Sequence, residues 1–332
     1  MRSHFRAIAF GAMLAAATMG TVVGASGCGT SEGAHSRAAS SQLGVFTSDV
    51  AGFETHSFWY DTGREVVVFD AQFTEPWARK VIAEIHAATP SPIRYVVITH
   101  PNPDKFNGAP AFRAEGARIV ASKATAAAIP GVHAYKKHYF VEIAKMFTAE
   151  TYPAQATIDE TFEGDFSLPL NGEGRVELHE LKHPGVSSTQ TVAFLPGIGA
   201  LVVGDLVHVG AHAWLEGGIV QGAPQPRLDD WKLALDELLA YPGATVYGGR
   251  GASAHVEVVV AAQKRYLDGM RQLVTDYVKG LGPRKSELLG DAAGPHFQVL
   301  TQKAEQAFPE LSLSYLITFG IYGLAAQIAS GS

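Results

Sequence analysis

Val97-Ile98-Thr99-His100-Pro101-Asn102-Pro103-Asp104-Lys105-Phe106-Asn107-Gly108 is the stretch on which the fold turns. Residues 93–99 form a short apolar run with β-branched residues in the middle and turn formers on both sides, which predicts a buried strand. The strand delivers His100 at its C-terminal end, and Asp104 follows in the next turn. Taken alone, a strand-end His and Asp read as helix caps or backbone partners. Working outward changes that. Upstream, residues 57–60 and 65–70 read as two strands joined through Asp61-Thr62-Gly63. Residues 75–88 have helical spacing (Trp77, Val81, Ile85) and are stopped by Thr89-Pro90-Ser91-Pro92. Downstream, residues 109–115 read as a helix, 117–121 as a strand and about 132–150 as a helix. Residues 176–181, 190–195 and 200–203 read as three more strands. An amphipathic helix over 228–240 carries Trp231, Leu235, Leu238 and Leu239 on one side. A strand over 244–247 and a long helix over about 254–279 follow. Strands come first, then strands mixed with helices, so the expected fold is an α/β sandwich with helices on the outside.

Three later segments carry the same kind of signal in order. They are Pro184-Gly185-Val186-Ser187 followed by the apolar run 191–196, then Ala200-Leu201-Val202-Val203-Gly204-Asp205, and then Tyr247-Gly248-Gly249-Arg250-Gly251. Together with the opening stretch they resemble the metallo-β-lactamase superfamily. The opening stretch is similar to its His-x-His-x-Asp-His signature, and the others to its Gly-His-Thr segment, its strand ending in a metal-bridging aspartate and its final Gly-His-Gly turn. The resemblance covers roughly residues 48–251. It implies a four-layer αβ/βα sandwich with an added C-terminal helical segment, and a centre for two zinc ions.

Carried over position by position, that centre keeps His100, Asp104 and Asp205. The remaining ligand positions are Asn102, Lys105, Val186 and Arg250. One ion would keep His100 and the shared Asp205, the other Asp104 and Asp205. A catalytic zinc normally has three protein ligands and one open position. Valine coordinates nothing, and arginine stays protonated. Lys105 and Arg250 would bring positive charge to the places metal ions hold and pair with the stranded carboxylates. Such buried pairs often do little more than offset their own desolvation. His183, three residues before Val186, and His208 and His212, after Asp205, are the rescue ligands for a rearranged metal site. His133, His138, His255 and His296 read as surface histidines and Lys136-Lys137 as a solvated face. Trp214 and Trp231 read as core or pocket wall.

The 332-residue chain is 47% hydrophobic and 17% charged, which excludes a disordered chain. Its net charge of −6 offers no basic footprint for nucleic acid. One cysteine excludes a disulfide framework and a Cys-rich zinc module. That cysteine, Cys28, follows Arg2, Arg6, an uncharged run over 7–27 and the small residues Gly24-Ala25-Ser26-Gly27. The pattern is that of a secretory leader and resembles a bacterial lipobox, with Ala25 where leucine is usual. The expected organisation is a signal peptide over 1–27, lipidation at Cys28 and a flexible tether over 28–42. A metallo-β-lactamase-like domain over 43–280 and a C-terminal helical segment over 281–332 follow. The alternative is an uncleaved N-terminal anchor. The location is then the bacterial envelope, on the periplasmic side. The apolar tail over 311–328 reads as a packed terminal helix, a place where a homodimer would form.

Three functions follow. The first is a domain that has lost zinc hydrolysis and binds a small, anionic ligand in the old cleft, with no cofactor expected. The second is a hydrolase of esters, amides or thioesters on a rearranged zinc site. The third is a structural envelope protein. The loops over 135–152 and 212–228, with Tyr, Phe, Trp and Pro, suggest a semi-apolar cleft wall.

Overall fold

The computed structural model describes residues 42–172 and 174–331. Cys28 and the expected leader lie outside them. The first sheet runs β1 (Gln42–Thr47), β2 (His56–Asp61), β3 (Val66–Phe69), β4 (Ile93–Val97), β5 (Arg118–Ser122) and β6 (Glu160–Phe162), in that order across the sheet. The β1–β2 and β2–β3 pairs are antiparallel, and β3 to β6 are parallel. The parallel pairs need crossovers, and helices supply them. These are α1 (Glu75–Ala88), α2 (Pro103–Phe106), α3 (Ala109–Ala114) and α4 (Lys123–His138). The second sheet contains β7 (Asp165–Ser167), β8 (Glu177–Glu180), β9 (Thr191–Leu195) and β10 (Ala200–Val209). A small hairpin follows, β11 (Gly218–Val220) and β12 (Ala223–Gln225), then α5 (Leu228–Glu237), β13 (Thr245–Gly251) and β14 (Ser253–His255). The order across the second sheet is β14-β13-β10-β9-β8-β7. The long helix α6 (Val256–Leu281) and the C-terminal helices α7 (Gly294–Ala307), α8 (Tyr315–Gly320) and α9 (Tyr322–Ser330) complete the described chain.

Alternation along the buried strands builds the layers. On β3, Val66 and Val68 pack toward α1, while Val67 and Phe69 face the other sheet. On β10, Ala200 and Val202 meet the first sheet, and Leu201 and Val203 face α5 and α6. Three apolar layers result: helices on sheet, sheet on sheet, and sheet on helices. The C-terminal helices share the third layer through Leu300, Ala304, Ile317, Leu324 and Ala329.

Several expectations change. The helix expected from about residue 132 begins at Lys123, capped by the Ser122 hydroxyl, which accepts from Thr125 N at 3.1 Å, and turns into a wider π-type turn over Tyr139–Ile143. The tail is two short helices rather than one. Gly320 ends the first, and no helix among the described residues is long and apolar enough to cross a membrane. Leu239 is exposed, outside the buried side of its helix. His296 is not a surface residue. It is buried between Tyr277 (Nδ1 to Oη 2.6 Å) and Glu287 (Nε2 to Oε2 2.8 Å). Lys136 is not solvated either: Glu216, eighty positions away, neutralises it inside the protein.

Candidate functional site: a buried ion-pair cluster at the strand ends

The functional side chains gather where β3, β4, β10 and β13 end. Asp70 follows β3 in a left-handed conformation (φ 67°). Its carboxylate accepts from Thr99 N at 2.9 Å and from the Thr99 hydroxyl at 2.9 and 3.0 Å. His100 follows, and α2 carries Asp104 and Lys105. On the other sheet the β10–β13 register breaks: the step from Gly204 to His208 faces the step from Gly248 to Arg250. That bulge is a device for re-aiming side chains, and Asp205 sits in it. Two glycines make room. At Gly204 (φ 56°) a Cβ would lie 2.3 Å from Thr99 Oγ1, and at Gly249 it would lie 1.6 Å from Asp205 Oδ1.

Lys105 is 0% exposed, and its ammonium touches three carboxylates. Nζ lies 2.8 Å from Asp205 Oδ1, 3.0 Å from Asp104 Oδ2 and 3.9 Å from Asp70 Oδ2. Arg250, also buried, spans the other side. It donates from Nη1 to Asp205 Oδ2 (2.8 Å), from Nη2 to Asp104 Oδ2 (3.0 Å) and Thr55 Oγ1 (2.9 Å), and from Nε to Phe53 O (2.7 Å). The last two partners come from a loop bent by left-handed backbone at Phe53 and Glu54. Each Asp205 oxygen therefore carries one cation.

The electrostatics follow. Burial alone would raise the Asp205 carboxyl, but Arg250 and Lys105 hold it well below the usual range. Asp104 is likewise lowered by Lys105 and Arg250 against its burial. Burial would lower Lys105, yet Asp104, Asp205 and Asp70 raise it. Asp70 is the exception: burial outweighs Lys105 and pushes it up to about 6.

Two imidazoles flank Asp205. His208 Nδ1 donates to His212 O at 2.7 Å, since a carbonyl only accepts. Its Nε2 lies 3.7 Å from Asp205 Oδ1. His100 Nδ1 lies 2.9 Å from the Thr99 hydroxyl, and its Nε2 is 3.7 Å from Asp205 Oδ2. Both Nε2 atoms are buried without a hydrogen-bond partner.

The remaining positions scatter. Asn102 lines a cavity of about 30 Å³ with Pro103, Asp104, Asp205, Arg250, Lys136, Phe53, Phe73, Phe140 and Trp214. That is room for a water or two, against roughly 300–1,000 Å³ for ligand pockets. Val186 does not line it; the side chain belongs to the core layer beside Leu206 and Trp231. His183 is held by Glu237 of α5 at 2.9 Å. His212 Nδ1 lies 3.2 Å from the Tyr266 hydroxyl. Among the described residues no group of three or more His, Cys, Asp or Glu side chains is arranged to hold a metal ion. Sequence reading missed Asp70, Thr55, Lys136 and Glu216. Asp70 had a findable signal, an acidic residue closing the apolar strand next to the one that delivers His100.

An αβ/βα sandwich with its polar cluster at these strand ends defines the class. The metallo-beta-lactamase superfamily sequence model matches residues 50–250, and the chain belongs to that superfamily. The fold is similar to a metallo-beta-lactamase from Pontibacter korlensis, at 21% identity and a TM-score of 0.51 over 69% of this chain and 94% of that one. It is also similar to the metallo-beta-lactamase FIM-1 from Pseudomonas aeruginosa in its mono-zinc form, at 18% identity and a TM-score of 0.50 over 68% and 89% of the two chains. No curated protein sequence matches this chain.

Proposed function

We propose that this is an exported, lipid-anchored member of the superfamily that does not perform zinc hydrolysis, with a cavity of about 30 Å³ beside the cluster that is too small for a ligand as the chain stands. The observation that carries the reading is the double occupancy of Asp205 by Lys105 Nζ and Arg250 Nη1, each at 2.8 Å. The family's bridging carboxylate must offer its lone pairs to metal ions, and here both oxygens are engaged by cations that stay charged. Val186 in the core layer removes a further ligand position. The residues present do not fit a two-zinc centre. Lys105 and Arg250 supply the positive charge that metal ions supply elsewhere in the family. The test is turnover of chromogenic β-lactam, ester and thioester substrates with and without added zinc. The reading expects no zinc-dependent turnover; turnover that needs zinc and vanishes in Asp205→Ala overturns it.

A rearranged single-metal hydrolase has one observation in its favour. The unpartnered Nε2 atoms of His100 and His208 flank Asp205. It requires Lys105 to leave. The same assay on Lys105→Ala decides: zinc-dependent turnover in that variant supports this second reading.

A further inference from the structure

A second polar cluster lies in the C-terminal helices, beyond the residues 50–250 that the family model matches. Tyr277 near the end of α6, Glu287 in the helical turn over Gly282–Leu289 and His296 in the first turn of α7 meet there. His296 Nε2 lies 2.8 Å from Glu287 Oε2. A carboxylate oxygen only accepts, so Nε2 carries the hydrogen and Nδ1 of the neutral ring is the acceptor. The Tyr277 hydroxyl, 2.6 Å from Nδ1, therefore donates to it. Arg284 holds the carboxylate in place, from Nε to Oε1 at 3.0 Å and from Nη2 to Oε2 at 3.4 Å. His296 and Arg284 keep the Glu287 carboxyl below its usual range. It stays ionised and fixes the tautomer of the ring.

Core packing holds the three side chains in register. Val274 and Val278 on the helix of Tyr277, Leu288 beside Glu287 and Leu300 one turn after His296 are all buried in the third apolar layer. His296 is buried, Tyr277 is half-buried and the Glu287 side chain is 36% exposed. The base is thus fixed, while the tyrosine keeps part of its surface in solvent. A hydroxyl, a base and an orienting carboxylate in a row are the arrangement that activates a weak nucleophile. Burial raises the Tyr277 phenol above its usual value, with Arg284 pulling the other way. The phenol therefore keeps its proton at neutral pH and needs the base in order to attack. Tyr266 and His212 give the contrast. Their contact is longer, at 3.2 Å, the hydroxyl accepts from Ala213 N, and His212 Nε2 has no hydrogen-bond partner.

We propose that Tyr277 is a nucleophilic tyrosine that takes an acyl group from a small activated acyl donor, with His296 as its general base and Glu287 as the residue that positions His296. The Tyr277 oxygen forms a bond to the acyl carbon, and the bond from that carbon to the leaving oxygen breaks. The phenolic proton passes to His296 Nδ1, and the leaving group departs with the electron pair of the broken bond. The imidazolium is paired with Glu287 until it gives the proton to water. The donor needs a leaving group less basic than a phenolate, whose conjugate acid has a pKa of about 10. Aryl esters and acyl phosphates meet that condition, and alkyl esters do not. Neither Lys105 nor Arg250 takes part, so the reaction is independent of zinc and its test is separate from the zinc assays.

The experiment treats the full chain with para-nitrophenyl acetate in the presence of a metal chelator. Nitrophenolate release gives the rate, and peptide mass spectrometry locates the acetyl groups. Tyr277 is expected to be acetylated at least ~10-fold faster than Tyr241 and Tyr247, two half-buried tyrosines that serve as comparators. Tyr277→Phe keeps the ring and should remove the fast phase of release. His296→Gln should slow acetylation of Tyr277 roughly 100-fold, the low end of general-base catalysis, and added imidazole should restore part of the rate. Glu287→Gln should slow it as well, with Glu287→Asp recovering part. Acetylation of Tyr277 no faster than that of the two comparators in the wild-type chain, or an unchanged rate in folded His296→Gln, overturns the proposal.

Discussion

Replacing Lys105 by methionine removes one charge and keeps most of the side-chain volume. In the wild-type protein that ammonium lies 2.8 Å from Asp205, 3.0 Å from Asp104 and 3.9 Å from Asp70. All three carboxylates are buried. Without Lys105, Arg250 alone must neutralise Asp104 and Asp205, and the Asp205 Oδ1 side loses its cation. Leaving a buried charge uncompensated costs about 3–5 kcal/mol. At roughly 2–4 °C per kcal/mol for a domain of this size class, the expected fall in Tm is about 6–20 °C. Urea unfolding at pH 7 is the assay, with the midpoint expected to fall and the slope to stay constant. Adding Asp104→Asn alone should return part of the loss, because Arg250 then stays paired with Asp205 and the charges of the network balance again. A loss below about 1 kcal/mol, or no recovery in the double variant Lys105→Met with Asp104→Asn, would refute a buried network balanced by Lys105.

Other expectations can be checked in the same way. His56 Nδ1 donates to Gly248 O at 3.2 Å, and burial lowers this residue to about 4. The unfolded chain therefore binds the extra proton first, so this residue makes stability fall as the pH drops from about 6.5 to about 4, by up to roughly 3 kcal/mol. His56→Gln should flatten that part of the urea-midpoint profile, and an unchanged slope would contradict it. Gly249→Ala places a methyl 1.6 Å from Asp205 Oδ1 and should cost about 1–3 kcal/mol in thermal unfolding, whereas a neutral result would show that the turn gives way. Gly131→Ala, in an exposed turn of α4 with open space around it, should stabilise by about 0.5–1 kcal/mol.

The sheets were legible because buried parallel strands read as short apolar runs and because four motif segments fall in the family's order. The cluster was legible as positions: a lysine and an arginine beside stranded carboxylates imply pairing by charge alone. Its outer partners were not. Arg250 reaches Phe53 O and Thr55 through a loop whose left-handed residues, Phe53 and Glu54, carry no glycine to betray the turn. Lys136 looked solvated because only a tertiary contact, with Glu216, reveals its burial. Val186 sits on a family ligand position, yet its surroundings are those of any core valine. The tail's hydrophobicity was visible, but its break at Gly320 and its approach to Trp214 depend on packing that no periodicity encodes.

The central claim is that Lys105 and Arg250 hold the place of the metal ions. Zinc bound per chain is its most direct test, measured by plasma emission after the purified protein is incubated with zinc and dialysed. Far less than one zinc per chain is expected, unchanged in Asp205→Ala. About one zinc per chain, lost in Asp205→Ala, would contradict it.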